Sequence, residues 1–192
     1  MPNLSEAGRQ VKKRRALTQE EAEALLKKTP ASRKLYYVMS LYTGLRVGEL
    51  EALRYSDVRW EPAPHLVLRA ETPKAKRADQ LPLHPKVVAL LDRRADSASP
   101  IVKVPTRKTV IRDFVNAGLV VLDESGVQVP NARGETLDRH ALRTTFVTWL
   151  SAGGVAPRMV QALARHSTLD LTMQTYTDER VLDLQTAINH LP

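Results

Sequence analysis

An arginine in the stretch TGLRVGELEALR, residues 43–54, is the first residue whose type and position suggest chemistry. Gly44 is a natural left-handed stop for the apolar helix before it, and the apolar residues that follow predict a new helix. Arg46 lies at the start of that helix, where the helix N-terminus already carries partial positive charge. A permanent cation at this position predicts an anion nearby, either a protein carboxylate or a phosphate.

Two later motifs add residues of the same chemical kind. In LDRHALRTTFVTWL, His140 and Arg143 are three residues apart, so they share one face of a helix. In ALARHSTLDLTMQTYTD, His166 follows a predicted helix and Tyr176 comes ten residues later. Taken singly, each is more often a solvated polar residue, a hydrogen-bonded core histidine or a half-buried tyrosine. The informative feature is their order along the chain, with Arg46 upstream.

Together these motifs resemble the tyrosine recombinase (phage integrase) family. TGLRVGELEALR resembles its first arginine box, HALRTTF its H-x-x-R box, and ARHS followed by TY its third histidine and nucleophilic tyrosine. KAKRADQLPL resembles the β-hairpin that carries the family's lysine. The resemblance extends from about Arg15 to Pro192. It implies an α+β fold that is mostly α, a helical integrase-like catalytic domain with a small antiparallel sheet or hairpin.

The resemblance implies a site-specific DNA recombinase, or integrase, that cleaves and rejoins DNA through a 3′-phosphotyrosine intermediate. Tyr176 attacks the phosphodiester and leaves a free 5′-hydroxyl, while Arg46 and Arg143 clamp the phosphate. Negative charge builds on the non-bridging oxygens in the transition state, and a guanidinium stays charged while binding two of them. The arginines supply the electrostatic stabilisation that a metal would otherwise give, so no metal or cofactor is expected. The bond energy is kept in the intermediate, so no ATP is expected to be required.

The same resemblance assigns the supporting residues. His140 exchanges a proton with the tyrosine, and His166 donates a hydrogen bond to the phosphate. Glu49, one turn after the first arginine, holds or orients the site. Many members of the family carry a second histidine directly after the box arginine, where this chain has Thr144. A modest effect is expected from that departure.

The lysine of the site lies in a basic turn between two short predicted strands. Lys74 is expected to be the general acid for the leaving oxygen. Lys74, Lys76 and Arg77 lie within four positions, so Lys76 is the alternative. Apart from that role, Lys76 and Arg77 are expected to contact DNA.

Composition favours a nucleic-acid partner. The 192-residue chain has 29 Lys and Arg against 21 Asp and Glu, a net charge of +8 that indicates a polyanion such as double-stranded DNA. It contains no cysteine, which excludes disulfides and thiolate metal sites. No signal sequence or membrane-spanning apolar run is found, which predicts a cytoplasmic, nucleoid-associated protein without membrane contact or small-molecule cofactor.

The predicted elements assign residues 1–16, ending in KKRR, to a tail or linker and 17–192 to the catalytic domain, with the family's N-terminal core-binding domain absent. Thr18 and Glu21 form a T-x-x-E capping box for the first helix. The remaining predictions are helices at 31–43, 85–94 and 106–117, hairpins at 65–83 and 120–129, and C-terminal helices broken at Gly153–Gly154 and around His166. In the 106–117 helix, the residues predicted to face inward are Val110, Ile111, Phe114 and Val115.

The C-terminal segment carries an apolar stripe at helical spacing, formed by Val181, Leu184, Ile188 and Leu191. The resemblance implies that this helix packs on a neighbouring protomer and links a homotetramer on DNA. Packing back onto its own domain is the alternative.

Two other functions fit part of the sequence. VAPRMVQALARHS after SAGG resembles a helix-turn-helix, which would make the chain a non-catalytic DNA-binding regulator, but this accounts for neither Arg46 nor the basic hairpin. An enzyme similar to type IB topoisomerases shares the strand-cleavage chemistry and reseals one strand without a partner site. A covalent protein–DNA adduct separates the enzyme from the regulator.

Overall fold

The computed structural model describes residues 13–68 and 79–166, excluding the side chains of Lys13 and Asp79. Helices dominate these ranges, with short strands between them, which confirms the predicted α+β, mostly α fold. The helices are α1 (Gln19–Lys28), α2 (Ala31–Thr43), α3 (Val47–Ala52), α4 (Pro85–Val88), α5 (Arg107–Asn116), α6 (Arg139–Ala152) and α7 (Pro157–Ala164). The strands are β1 (Lys13–Arg14), β2 (Val58–Arg59), β3 (His65–Leu68), β4 (Asp79–Pro82), β5 (Val121–Leu122), β6 (Gln128–Val129) and β7 (Glu135–Thr136).

The first two helices begin and end where the sequence predicts. The Glu21 backbone N–H donates to Thr18 Oγ1 at 3.2 Å and the Thr18 N–H donates to the Glu21 carboxylate at 2.9 Å, so the predicted capping box is present. α2 ends at Gly44, which has a φ of 61°. α2 makes its largest helix–helix contact with α6, and together they form the centre of the core.

A buried polar network ties α2 to α5. The side chain of Arg33 donates to both oxygens of Asp113 at 2.8 and 2.6 Å, and the Tyr37 hydroxyl donates to the same carboxylate at 2.7 Å. Asp113 is 2% exposed, so these donors compensate for the cost of burying its charge. Burial and the hydrogen bond to this carboxylate raise the pKa of Tyr37.

In the described ranges, three small sheets accompany the helices. β2, β3 and β4 form an antiparallel sheet in which Leu66 pairs with Leu81, and β5 and β6 form the second predicted hairpin. The turn between β3 and β4, with Lys74, Lys76 and Arg77, lies outside the described residues.

The third sheet is a parallel pair of β1 with β7 that the sequence does not predict. It places the end of the segment assigned to a tail against the domain. The chain just after β1 is also attached to α6. The Leu17 N–H donates to Thr145 Oγ1 at 2.9 Å, and Trp149 Nε1 donates to the Leu17 carbonyl at 3.1 Å.

Two predictions about helices are wrong. The helix predicted at 85–94 ends at Val88, where the backbone changes to hydrogen bonds between residues three apart: the Leu90 N–H donates to the Val87 carbonyl at 3.0 Å and the Leu91 N–H to the Val88 carbonyl at 3.2 Å. The Asp92 side chain also accepts from the Arg94 N–H at 2.9 Å, which competes with helical hydrogen bonding. Val115 is 36% exposed rather than inward, whereas Val110 and Phe114 are buried as predicted.

In the described ranges, no helix has the length and hydropathy that crossing a lipid bilayer would require.

Candidate active site

Arg143 lies within α6 and is only 4% exposed. Its guanidinium donates hydrogen bonds to the backbone carbonyls of Gly44 and Ala164. Gly44 directly follows α2 and Ala164 ends α7, so the guanidinium lies where two helix C-termini meet. Such termini carry partial negative charge and carbonyls without a helical partner. The fold therefore stabilises a buried cation and fixes its orientation before any ligand binds.

Gly44 makes this arrangement sterically feasible. A Cβ atom at this position would lie 2.2 Å from Cδ1 of Phe146, one turn after Arg143 on α6. Together with the positive φ of 61°, this close approach requires glycine.

Arg46 is the residue before α3, and its side chain is 48% exposed. Its backbone N–H donates to Glu49 Oε2 at 2.7 Å and its Nη1 donates to Glu49 Oε1 at 3.3 Å. The Glu49 side chain is 4% exposed. Glu49 therefore holds both the backbone and the side chain of Arg46, and the protein carboxylate that the sequence left as one alternative is present.

Glu49 has a second cationic partner from the other end of the chain. Arg165 Nη1 donates to Glu49 Oε1 at 2.6 Å. Arg165 directly precedes His166, so the carboxylate connects the first arginine motif with the last histidine motif.

His140 lies in the first turn of α6. Asp138 is the N-cap residue, and its Oδ1 accepts from the N–H groups of His140 and Ala141 at 2.8 and 3.1 Å. Arg14 Nε donates to Oδ2 of the same aspartate at 2.8 Å. Burial and then the charge of Arg14 lower the pKa of His140, which favours its neutral imidazole. Although burial alone raises the pKa of Asp138, the Arg14 hydrogen bond and charge hold it below its ordinary value.

His166 is 7% exposed and follows α7. Burial and then the positive charges of Arg143, Arg46 and His140 lower its pKa to about 4. His166 therefore lies within electrostatic reach of both arginines and is neutral at neutral pH.

A cleft of about 380 Å³ opens between α3 and α6. Three of the predicted site residues, Arg46, His140 and Arg143, line it together. Five arginines and a single carboxylate, Asp138, are among the residues that line it, so it is strongly cationic. Its size and charge suit a phosphate-sized anion. The structure thus brings Arg46 of the first motif together with His140 and Arg143 of the second. The predicted Lys74 and Tyr176 lie outside the described ranges.

The chain belongs to the phage integrase family, whose model matches residues 15–182. It is 29% identical over 162 residues to the tyrosine recombinase of Thermosipho africanus, and 29% identical over 178 residues to the tyrosine recombinase XerA of Thermococcus onnurineus. These matches cover 81% and 90% of this chain but 54% and 61% of the two relatives. The family predicted from the sequence is therefore confirmed.

The fold is also similar to solved structures. The crystal structure of XerA recombinase superposes with a TM-score of 0.67 at 20% identity, covering 94% of this chain and 66% of that one. The catalytic domain of bacteriophage HP1 integrase superposes with a TM-score of 0.63 at 19% identity, covering 94% and 96% of the two chains. At such identities the likeness establishes the fold.

The residues near the cleft that were not selected from the sequence include Arg14, Asp138 and Arg165, each held by an ion pair, and the lining arginines Arg107 and Arg139. Asp138 has a recognisable signal, because an aspartate directly before the helix RHALRTTF is a preferred N-cap residue. Arg14 lies in the basic KKRR run, whose charge alone does not indicate its partner. Nothing in the local sequence of Arg165 indicates an ion pair with a glutamate far away in the chain.

Proposed function

We propose that this chain is the catalytic domain of a site-specific DNA recombinase that cleaves and rejoins DNA through a 3′-phosphotyrosine intermediate. The observation that carries the proposal is the cationic cleft shared by Arg46, His140 and Arg143, with His166 within reach of the charges of both arginines. A phosphodiester is an anion that fits this cleft, and its charge increases in the transition state of phosphoryl transfer.

In the proposed reaction, the Tyr176 hydroxyl oxygen attacks the phosphorus and forms a phosphotyrosine bond while the bond to the 5′ oxygen breaks. Neutral His140 accepts the tyrosine proton, and Lys74 donates a proton to the leaving 5′ oxygen. Arg46 and Arg143 bind the non-bridging oxygens, and His166 donates one further hydrogen bond to them. A 5′-hydroxyl then reverses these steps, so the phosphodiester reforms and the tyrosine regains its proton.

Double-stranded DNA is the proposed partner, with Lys76 and Arg77 proposed to contact it. The Tn1549 transposon integrase, which has a similar fold, was solved in complex with transposon right end DNA and supports this choice.

We place the protein with chromosomal DNA in the nucleoid, and propose that its C-terminal segment links a homotetramer on the substrate. Cross-linking with and without DNA tests the proposed tetramer. Recovery of monomers only in the presence of DNA substrate would contradict it.

The decisive experiment uses nicked duplexes with a randomised central region, so that strand cleavage releases a short fragment and traps the intermediate. Covalent protein–DNA species are separated on denaturing gels and their DNA is sequenced. We expect an adduct from the parent chain, at the Tyr176 peptide, and none from Tyr176→Phe. Absence of any adduct from the parent, with non-covalent binding retained, would favour the DNA-binding regulator.

A captured sequence also separates recombination from topoisomerase-like cleavage. Two copies of the captured site on one plasmid should yield recombined circles. Relaxation of a plasmid that carries a single copy, without recombinants from two copies, would instead indicate strand cleavage and resealing.

A further inference from the structure

Arg165 has an unusual backbone conformation for its residue type. Its φ is 54° and its ψ is 45°, in the left-handed region, and it is the one non-glycine residue with positive φ within residues 13–68 and 79–166. Glycine adopts this conformation at a helix C-terminus without the steric penalty of a Cβ atom. An arginine at this position therefore indicates that its side chain has a use that outweighs the backbone strain.

The side chain of Arg165 contacts the buried carboxylate of Glu49. Its Nη1 donates to Glu49 Oε1 at 2.6 Å, and the two side chains are 15% and 4% exposed. At this burial the pair is shielded from solvent, unlike a surface ion pair. The same carboxylate also accepts the backbone N–H of Arg46, so it touches the start of the first arginine motif.

The backbone around Arg165 is held on its other side by Arg143. Arg143 donates to the carbonyl of Ala164, the residue before Arg165. The His166 N–H donates to the Gln161 carbonyl at 3.1 Å, and Gln161 Nε2 donates to the His166 carbonyl at 3.3 Å. The turn that carries His166 is thus fixed to α7 and α6, and the Arg165 side chain adds its link to α3.

We propose that Arg165 is a positioning residue, which uses its ion pair with Glu49 to fix the location of His166 relative to Arg46 and Arg143. A displacement of about 1 Å in an active site can cost about 100-fold in rate. The inference deepens the proposed recombinase function, and its cleavage assay rests on that function.

The test compares Arg165→Met, which removes the charge, with Arg158→Met as the matched control. Arg158 is an exposed arginine on α7 whose Nη1 donates to Gln161 Oε1 at 3.4 Å, a long and exposed contact. This control therefore removes the same charge from the same helical region and leaves the ion pair with Glu49 in place. We expect Arg165→Met to cleave a captured DNA site about 10- to 100-fold more slowly at saturating protein, with DNA affinity equal to that of the control. Arg165→Lys should restore part of the rate because it retains the cation.

The second measurement does not depend on cleavage. The His166 imidazole is titrated by NMR in the DNA-free protein and assigned with His166→Gln. Since burial and the charges of Arg143, Arg46 and His140 lower its pKa to about 4, release of the turn should raise that pKa towards 6.5 in Arg165→Met but not in Arg158→Met. Should Arg165→Met not fold, Arg165→Gly relieves the positive φ and serves in its place.

The outcomes separate the two proposals. A parent chain that forms no adduct overturns the recombinase function, and the NMR titration then decides the role of Arg165 alone. An unchanged His166 titration in the charge-removing variant, or a cleavage rate equal to that of Arg158→Met, overturns the positioning role.

Discussion

Arg143 and Arg46 line the same cleft, yet Arg143 is 4% exposed whereas the Arg46 side chain is 48% exposed. Carbonyls at two helix ends hold Arg143, so folding itself fixes this cation. A single carboxylate holds Arg46 and leaves about half of its side chain open to solvent. The comparison indicates that one side of the cleft is part of the core, while the other side is available to adapt to a ligand. Stability and activity should therefore respond differently on the two sides.

The largest loss of stability is expected for Arg143→Ala. Two charge-assisted hydrogen bonds disappear, each contributing about 1.5–3 kcal/mol, so the free energy of unfolding should fall by about 3–6 kcal/mol. DNA cleavage should be abolished as well. Urea denaturation measures the first effect, and the exposed Arg107→Ala is the control. A variant as stable as the parent would contradict the view that this arginine is part of the core.

Gly44→Ala should give the next largest loss. The added Cβ would meet Phe146 and must adopt a positive φ, at a combined cost of about 2–4 kcal/mol. Gly48→Ala is the matched control, since a Cβ there meets nothing within 4 Å and alanine favours the helix. Thermal denaturation should show a lower melting temperature for the first variant only. Equal melting temperatures would show that the contact with α6 is not tight.

An intermediate effect is expected from the pH dependence of stability. The pKa of His166 is lowered to about 4 in the folded protein against 6.5 in the unfolded chain. The unfolded chain therefore binds the proton first, and stability should fall as pH drops from 6.5 towards 4, by up to about 1.4 kcal/mol per pH unit. His166→Gln should flatten that decline, while both proteins should show parallel curves above pH 7. A decline of equal slope in the variant would contradict the assignment.

The smallest effect on stability is expected for Arg46→Ala. The side chain is half exposed and Glu49 keeps its ion pair with Arg165, so the free energy of unfolding should change by less than about 1 kcal/mol. Cleavage should nevertheless be lost, with most DNA binding retained because other phosphate contacts remain. A gel-shift assay and the nicked-duplex assay measure the two effects. Even Arg46→Lys should cleave far more slowly than the parent, since an ammonium cannot bind two oxygens in parallel. Cleavage by this variant at nearly the parental rate would show that Arg46 does not bind the phosphate.

The sequence predicts local features well where one signal determines them. The Thr18 capping box, the stop at Gly44 and the hairpin around Gly126 each follow from the residues within one turn. The convergence of Arg46 with His140 and Arg143 follows from resemblance to a family, because spacing alone does not bring distant motifs together.

Other features depend on contacts between distant segments. The β1–β7 pair has strands of two residues each, too short for an alternating pattern. The helix from Pro85 ends early, and within its predicted range the Asp92 side chain binds the Arg94 N–H; an apolar periodicity does not reveal such a competitor. The contact of Arg165 with Glu49 depends on one left-handed residue, which propensity would not assign to arginine.

The attachment of Leu17 to α6 has a mechanical consequence. A pull on the chain before residue 13 would load the parallel β1–β7 pair in shear, with its hydrogen bonds sharing the tension. The Arg14–Asp138 contact would pass that tension to the N-cap of α6, the helix of His140 and Arg143. α1 would bear the load only after this path had failed, so tension on the N-terminal segment would reach the cleft first.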